Sequence, residues 1–216
     1  LPDRREAQSS PVQGSAIDAK VEALRQRLPA IVDATRLRVS EDGQVDCVVS
    51  FDDASAAREA VGLAWWAHVR TIDVDRTSTP HALRPLVVDV VLGSPMPRLR
   101  SLTGLTWPAF SKLCKAEVAL PLVEVGFTWG PGDHVLRRFA GTTALPNVRR
   151  VRIGLRGADT LVGELFRMLE TWQRPLDSLT VETGLRLANP NGLRVCARRE
   201  NGQMIVEVEG DISDWE

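Results

Sequence analysis

A short apolar pattern recurs five times along the middle of the chain. In each copy, two residues separate the first apolar residue from the second, and one residue separates the second from the third. Successive copies begin 23 to 30 residues apart. Alternation on this scale predicts one β-strand per copy. The copies are Val69/Ile72/Val74, Leu99/Leu102 with Gly104 in the third apolar slot and Leu105 following, Leu122/Val125/Phe127, Val148/Val151/Ile153 and Leu176/Leu179/Val181.

Helix signals lie between the strands. Each signal combines a capping residue or a stop residue with apolar residues at helical spacing. Strands that alternate with helices in this way are expected to pair in parallel. The predicted helices are one opened by Asp53 or Ser55 with Ala57, Val61 and Ala64 facing inward, one over residues 85–92 that stops at Gly93, one after Thr106 with Phe110, Leu113 and Cys114 on one side, one capped by Asp133 with Leu136 and Phe139, and one capped by Asp159 with Leu161, Leu165, Met168, Leu169 and Trp172.

The two ends of the chain carry different signals. Asp42-Gly43 predicts a hairpin turn between strands over 36–39 and 45–51, and Asn201-Gly202 predicts a second hairpin between strands over 193–199 and 204–209. Folding about the second turn places Ala197 opposite Val206, Val195 opposite Val208 and Arg194 opposite Glu209. Before the first hairpin, an amphipathic helix is predicted from Ser15, with one apolar face formed by Ile17, Val21, Leu24, Leu28 and Ile31.

Two architectures fit a run of strand–helix units, a doubly wound sheet and a solenoid. The near-regular spacing of a shared strand motif favours the solenoid. We therefore predict an α/β solenoid with a parallel sheet, helices on its convex side and β-hairpin caps at both ends. The predicted divisions are a flexible tail (1–14), an N-terminal cap of helix, hairpin and helix (15–68), the solenoid (69–185), a C-terminal hairpin cap (186–210) and an acidic tail (211–216).

The strand segments resemble the "LP-x-L-x-x-L-x-L" region of leucine-rich repeats. Residues 97–105 (PRLRSLTGL) and 145–153 (LPNVRRVRI) carry the resemblance, which covers about residues 69–185. The Asn or Cys that closes the usual motif is not evident after any triplet. In general character the chain is similar to bacterial proteins in which a repeat-companion segment precedes degenerate leucine-rich repeats. The resemblance implies an arc-shaped fold and protein–protein interaction.

Composition narrows the classes of partner. Hydrophobic residues make up 44% and charged residues 25%, which is typical of a folded domain, and the net charge of -1 gives no reason to expect nucleic acid or an anionic membrane as partner. No apolar run approaches the roughly 20 residues of a spanning helix. Cys47, Cys114 and Cys196 lie far apart in apolar or strand-like stretches, which indicates buried thiols in a reducing compartment, the cytoplasm.

The sequence contains no recognisable catalytic, metal-binding or cofactor-binding motif, so neither a catalytic site nor a cofactor is predicted. The segment nearest to a phosphate loop, 129–133, is interpreted as a tight turn because Pro131 has no N–H to offer an anion. The three histidines, at predicted helix ends, have no second ligand at metal spacing. Asp73 and Asp75 are interpreted as solvated charges. In the Trp65-Trp66 pair, one ring is expected in the core, and the other is expected to cover a neighbouring repeat or to stay exposed. The histidines are His68, His81 and His134.

The middle positions of successive strands are expected to line one open face, acidic at its start and basic at the fourth strand. We predict a non-enzymatic module that binds another protein through this face. One alternative is a doubly wound α/β enzyme with a site at the strand carboxyl ends, around Asp75, Thr106, Thr128 and Asp133. Another is a regulatory segment of a larger protein, because the chain begins at Leu1 with a polar stretch. The predicted partner-binding residues are Asp73, Thr103, Glu124, Arg150, Arg152 and Thr180.

Overall fold

The computed structural model describes residues 19, 21–129, 139, 142–155, 177–183, 194–200 and 203–209. These residues form a mixed α/β fold in which nine strands join one sheet. Helices α1 (Ala54–Ala60), α2 (Leu86–Gly93) and α3 (Trp107–Cys114) follow the second, third and fourth strands. The strands are β1 (Arg38–Val39), β2 (Val45–Val49), β3 (Val69–Val74), β4 (Ser101–Thr106), β5 (Glu124–Trp129), β6 (Arg150–Leu155), β7 (Ser178–Thr183), β8 (Arg194–Glu200) and β9 (Gln203–Glu209).

The strands lie in the sheet in chain order, from β1 to β9. Strands β2 to β7 pair in parallel, and the outer pairs β1–β2, β7–β8 and β8–β9 are antiparallel. The predicted parallel pairing and the two terminal hairpins are thus confirmed. The second hairpin has the predicted register, with Ala197 opposite Val206, Val195 opposite Val208 and Arg194 opposite Glu209. A doubly wound sheet reverses its strand order at a switch point, and the described strands contain no such reversal.

One side of the sheet is buried against the helices. The second residues of the five apolar triplets pair with one another across the sheet, and none of their side chains is more than 2% exposed. Helix α1 contacts α2, α2 contacts α3, and α3 contacts β4 and β5. Because successive strand residues point to opposite sides, the residues between the triplet positions face away from these helices. The paired residues are Ile72, Leu102, Val125, Val151 and Leu179.

Helix α3 shows how the strand and helix signals meet in the core. Thr106 is its N-cap, Pro108 occupies its first turn, and the predicted inner residues Phe110, Leu113 and Cys114 are buried. The ring of Phe110 stacks on Phe127 of β5, with centroids 4.0 Å apart. This contact joins one helix to the strand of the next unit along the chain.

The N-terminal helix is shorter than its apolar pattern predicts. Helical backbone at 21–25 gives way to turns before Pro29, so extending the helical face to Leu28 and Ile31 is wrong. Proline cannot donate the next helical hydrogen bond. Ile31 is instead buried beside Val32, which bridges antiparallel to Val49 of β2.

The inward placement of Val61 and Ala64 is also wrong. Helix α1, capped by the Asp53 carboxylate as predicted, ends at Ala60, and Val61 is 37% exposed. Gly62 has a φ of 78°, which turns the chain out of the helix before Ala64, itself exposed.

Both tryptophans of the Trp65-Trp66 pair are buried, in a 3-10 helix over Ala64–His68. Their rings meet edge to face with centroids 5.1 Å apart. The Trp65 indole N–H donates to the Leu24 carbonyl and that of Trp66 donates to the Ala60 carbonyl. The pair therefore anchors the N-terminal helical turn on α1, and neither ring is left exposed.

Several predictions fall on residues outside the described part of the chain. They include the helices capped by Asp133 and Asp159, His134 and both tails, although Phe139 itself is helical and fully buried. Within the described part, Cys47 and Cys114 are buried free thiols, and burial raises the pKa of Cys47. No described helix has the length and apolar character needed to cross a bilayer.

Candidate functional site

The side of the sheet that faces away from α1, α2 and α3 carries polar residues in two rows. All six predicted partner-binding residues lie on this side, which we name the open face. Apart from Glu124 and Gly126, its side chains are half-buried or exposed. The open face is defined by Thr71, Ser101, Glu124, Arg150 and Ser178 in the first row and by Asp73, Thr103, Gly126, Arg152 and Thr180 in the second.

Glu124 is buried, although its position on the open face predicts a solvated charge. Only 6% of the residue is exposed. Arg152 Nε lies 2.6 Å from one carboxylate oxygen, and Arg150 Nη2 lies 3.8 Å from the other. The Glu124 carboxylate therefore pairs with two arginines. Together these three side chains carry one net positive charge at the basic end of the face.

A β-bulge in β4 shapes the centre of the open face. The pairing of Leu102 with Val125 shifts to that of Leu105 with Phe127, so β4 places two residues opposite one residue of β5. Gly104, within the bulge, has a φ of 74°, and a Cβ there would lie 2.3 Å from the Val74 carbonyl oxygen. Glycine in the third apolar slot of this triplet is thus required, and the following Leu105 fills the core instead.

A groove of about 340 Å³ lies on the open face at the carboxyl ends of β3 to β6. We name it the carboxyl-end groove. Three glycines on adjacent strands leave bare backbone along it, and both acidic and basic side chains line it. The lining residues used below are Arg36, Asp73, Asp75, Arg76, Gly104, Gly126, Thr128, Arg152 and Gly154.

The two aspartates of the groove are half-buried and accept hydrogen bonds from neighbouring residues. Asp73 Oδ1 accepts the Thr103 hydroxyl at 2.7 Å. Asp75 accepts the hydroxyl and the backbone N–H of Thr77, and these hydrogen bonds hold the pKa of Asp75 well below its usual range. Arg36 Nη1 adds an ion pair to Asp75 Oδ2 at 2.8 Å.

Arg76 reaches across the groove from the end of β3. Its Nη1 donates to Thr128 Oγ1 at 3.2 Å. Its backbone carbonyl accepts a hydrogen bond from the buried Arg84, which also donates to the Thr79 carbonyl and so fixes the loop after β3. No carboxylate of the described residues pairs with Arg76, whose side chain is exposed.

A second groove, of about 430 Å³, continues the open face over β1, β2 and β3. It shares Arg36 and Asp73 with the carboxyl-end groove. In this groove, Asp46 Oδ1 accepts a hydrogen bond from Arg70 Nε at 3.0 Å. Burial raises the pKa of Asp46, but hydrogen bonds from Arg70 and Thr71 outweigh that effect and lower it overall. The two grooves together make a polar channel from β1 to β6.

The residues of the alternative enzyme site do not form a catalytic group in the described structure. Thr106 and Thr128 are neighbours in the sheet, but Thr106 is 2% exposed and its hydroxyl has no hydrogen-bond partner. Asp133 lies outside the described residues, and so does the 130–133 turn. His68 ends the 3-10 helix and His81 is exposed. Within the described ranges, no three His, Cys, Asp or Glu residues are grouped so as to hold a metal ion.

The strand pattern predicts that the six partner-binding residues share one face, but it does not predict the residues that make the channel. Arg36 and Arg76 lie outside the strand motif, so the triplet pattern carries no signal for them. Comparisons with protein-family models, with curated proteins and with solved structures find no significant match. The function must therefore be inferred from the geometry of the open face.

Proposed function

We propose that this chain is a non-enzymatic module that binds another protein along the open face of a short, leucine-rich-repeat-like arc. The chain-order parallel sheet and the recurring triplets support the arc. The arrangement of helices α1 to α3 on the opposite side supports the same reading, because it leaves the open face accessible. Buried free thiols at Cys47 and Cys114 support a reducing compartment for the module.

The polar channel is the observation that carries the proposal. Its two grooves meet at Arg36 and Asp73 and cross six adjacent strands. With neighbouring strands about 4.8 Å apart, the channel spans roughly 24 Å, the length of about seven extended residues. A channel of that length suits a polypeptide segment better than a small molecule, which would occupy one compact pocket.

The test is a pair of charge changes on the two sides of the sheet. Ser178 and Thr180 lie beside Arg150 and Arg152 in register. S178E/T180E therefore places new carboxylates next to arginines, which preserves the sheet while it reverses the charge of the basic end. The matched control, R58Q/K115Q, changes the charge by the same amount at exposed positions of the helix side.

The measurement is the dissociation constant of the purified natural partner, identified first by affinity capture and cross-linking. We expect S178E/T180E to bind at least about tenfold more weakly and R58Q/K115Q to bind like wild type, with all melting temperatures unchanged. Unchanged binding by S178E/T180E, or equal loss in the control, would refute the assignment to the open face.

A further inference from the structure

The two end strands of the sheet differ in how they are protected. Strand β1 has only two residues. Strand β9 has seven, and each of them pairs with a residue of β8 without a bulge. Proteins protect an exposed sheet edge with a very short strand, a bulge, lysine or proline, because an unpaired edge can add a further strand. Strand β9 contains neither lysine nor proline, and among the described strands it pairs with β8 alone.

The hairpin determines which backbone groups of β9 point to its outer edge. Glu200 lies opposite Gln203, so two residues connect β8 to β9. In such a hairpin the residues that flank the turn are hydrogen-bonded to each other, and bonded and non-bonded positions alternate from there. Every second residue of β9, starting from Gln203, therefore bonds to β8. The residues whose N–H and C=O groups point to the outer edge are Met204, Val206 and Val208.

The residues that bond outward are all apolar and lie in the rows of the buried side. Val206 is in register with Ala197, which is in register with the buried Leu179 of β7. Because alternate strand residues belong to opposite sides, the three outward-bonding residues share that side of the sheet. Glu207 is in register, through β8, with Thr180 and so belongs to an open-face row. The acidic residues of β9 are thus separated from its apolar ones.

A second copy of β9 fits this edge in an antiparallel register centred on Val206. In that register Val206 lies opposite Val206 of the second copy, and Met204 lies opposite Val208. All three outward-bonding residues of each strand then find a partner in the other strand. A shift by two residues in either direction leaves one of them without a partner within β9. The centred register therefore forms the longest ladder of hydrogen bonds.

The charges of β9 favour the same register. With Val206 at the centre, Glu207 lies opposite Ile205 and Glu209 lies opposite Gln203, so no like charges are directly opposed. A shift by two residues toward the C terminus would place Glu207 opposite Glu207 of the second copy. Like charges directly opposite each other destabilise a strand pair. Backbone pairing and charge therefore select one arrangement.

We propose that β9 pairs antiparallel with β9 of a second copy of this chain, in the register centred on Val206. The two-fold axis of this pair is perpendicular to the sheet. The open faces of the two copies therefore lie on the same side of one continuous sheet. The inference goes beyond the proposed function, which needs only one open face, because it adds that two open faces meet a partner together.

The first measurement is the mass of the full chain in solution, without any partner. We expect sedimentation equilibrium at concentrations up to about 200 μM to show a species of twice the mass of the chain. A chain that stays monomeric at the highest concentration would overturn the inference.

Two substitutions of Ile205 should change the association in opposite directions. By symmetry, I205K places a cation opposite Glu207 at two positions of the dimer, and I205E places an anion there. We expect I205K to lower the dimer dissociation constant about threefold and I205E to raise it at least about tenfold. Within one chain, residue 205 is in register with Arg198, so I205E should melt at or above the wild-type temperature. Its weaker association would then not be a result of unfolding.

A charge control and a cross-linking pair complete the test. S178E/T180E adds acidic charge on β7, away from the paired edge, and should associate like wild type. Under mild oxidation V206C should form a disulfide with its own copy, because the two positions meet at the two-fold axis within disulfide range. Q203C should not, since the two copies of residue 203 lie at opposite ends of the ladder. The cross-linked peptides are identified by mass spectrometry.

Three further results would contradict the pairing of β9 with itself. One is a change of the same sign in I205K and I205E. Another is weaker association of S178E/T180E, which would indicate a response to net charge. The third is a disulfide in Q203C with none in V206C, which would indicate another register or another surface.

Discussion

Arg36 and Asp75, which are 39 positions apart in the chain, form an ion pair in which Nη1 of the arginine lies 2.8 Å from Oδ2 of the aspartate. Arg36 ends the 3-10 helix Ala34–Arg36 before β1, whereas Asp75 follows β3. The pair therefore fastens the N-terminal hairpin to the end of a strand two places away in the sheet. Because Arg36 lines both grooves, the same contact holds the junction of the polar channel in place.

We expect D75N to be less stable than wild type at neutral pH and closer to it in acid. Hydrogen bonds from Thr77 hold the pKa of folded Asp75 below the unfolded value of about 3.9. A depressed carboxyl pKa gives stability that is fully present above the unfolded value and is lost as pH falls through the folded one. Urea unfolding at about pH 7, 5 and 3 should show the difference shrinking below about pH 4.

The control for this pH series is D52N, at an exposed aspartate for which the described structure gives no hydrogen bond. It should follow the wild-type curve throughout. A difference between D75N and wild type that stays constant from neutral to acid pH would contradict the role given to the Asp75 carboxylate.

G104A should be strongly destabilising. The substitution combines a left-handed backbone conformation with a collision against the Val74 carbonyl, and neither the strand nor the bulge can move without losing its pairing. We expect the free energy of unfolding to fall by about 2 to 4 kcal/mol. Urea denaturation followed by circular dichroism measures it.

Gly62 offers a matched control for the conformational part of that loss. Its φ is 78°, but a Cβ would meet only the Gly93 carbonyl oxygen, at 3.9 Å. G62A should therefore cost about 1 kcal/mol. Equal losses in G62A and G104A would show that the close approach of Gly104 to Val74 contributes nothing.

R152A should destabilise the fold because it leaves the buried Glu124 carboxylate with Arg150 alone, at 3.8 Å. We expect R152A to lower the free energy of unfolding by about 1 to 3 kcal/mol. E124Q should lower it less in the R152A protein than in the wild-type protein. Urea unfolding of the four proteins in this cycle gives the coupling.

An exposed ion pair supplies the comparison for R152A. Lys112 and Asp89 join α3 to α2 with their side chains 47% and 45% exposed, so K112A should change the unfolding free energy by less than about 1 kcal/mol. Identical effects of R152A and K112A would contradict the burial of the Glu124 pair.

Much of the fold follows from local pattern. The Asn201-Gly202 turn and the alternation on either side define the register of the second hairpin, because only a few neighbouring residues decide it. The apolar triplets likewise locate β3 to β7. The apolar spacing predicts a longer helix α1 because Val61 continues that spacing, whereas the chain leaves the helix at Ala60 and turns at Gly62.

The candidate site could be predicted only in part, because its decisive contacts are distant in sequence. Alternation places Glu124 and Arg152 on one face, but the burial of Glu124 depends on the register between β5 and β6. Arg36 meets the groove from a single turn of 3-10 helix and Arg76 from a loop, and neither segment is long enough to show a periodic pattern in the sequence.

The ordering of β1 to β9 along the sheet has a consequence for how the molecule tolerates change. Each strand hydrogen-bonds only to those immediately before and after it in the sequence. If one strand and the helix that follows it were duplicated, the copy would lie beside the original strand. All the other strand pairs of the sheet would stay the same. The length of the open face can therefore be altered by whole strand–helix units while the remaining strand pairs stay the same.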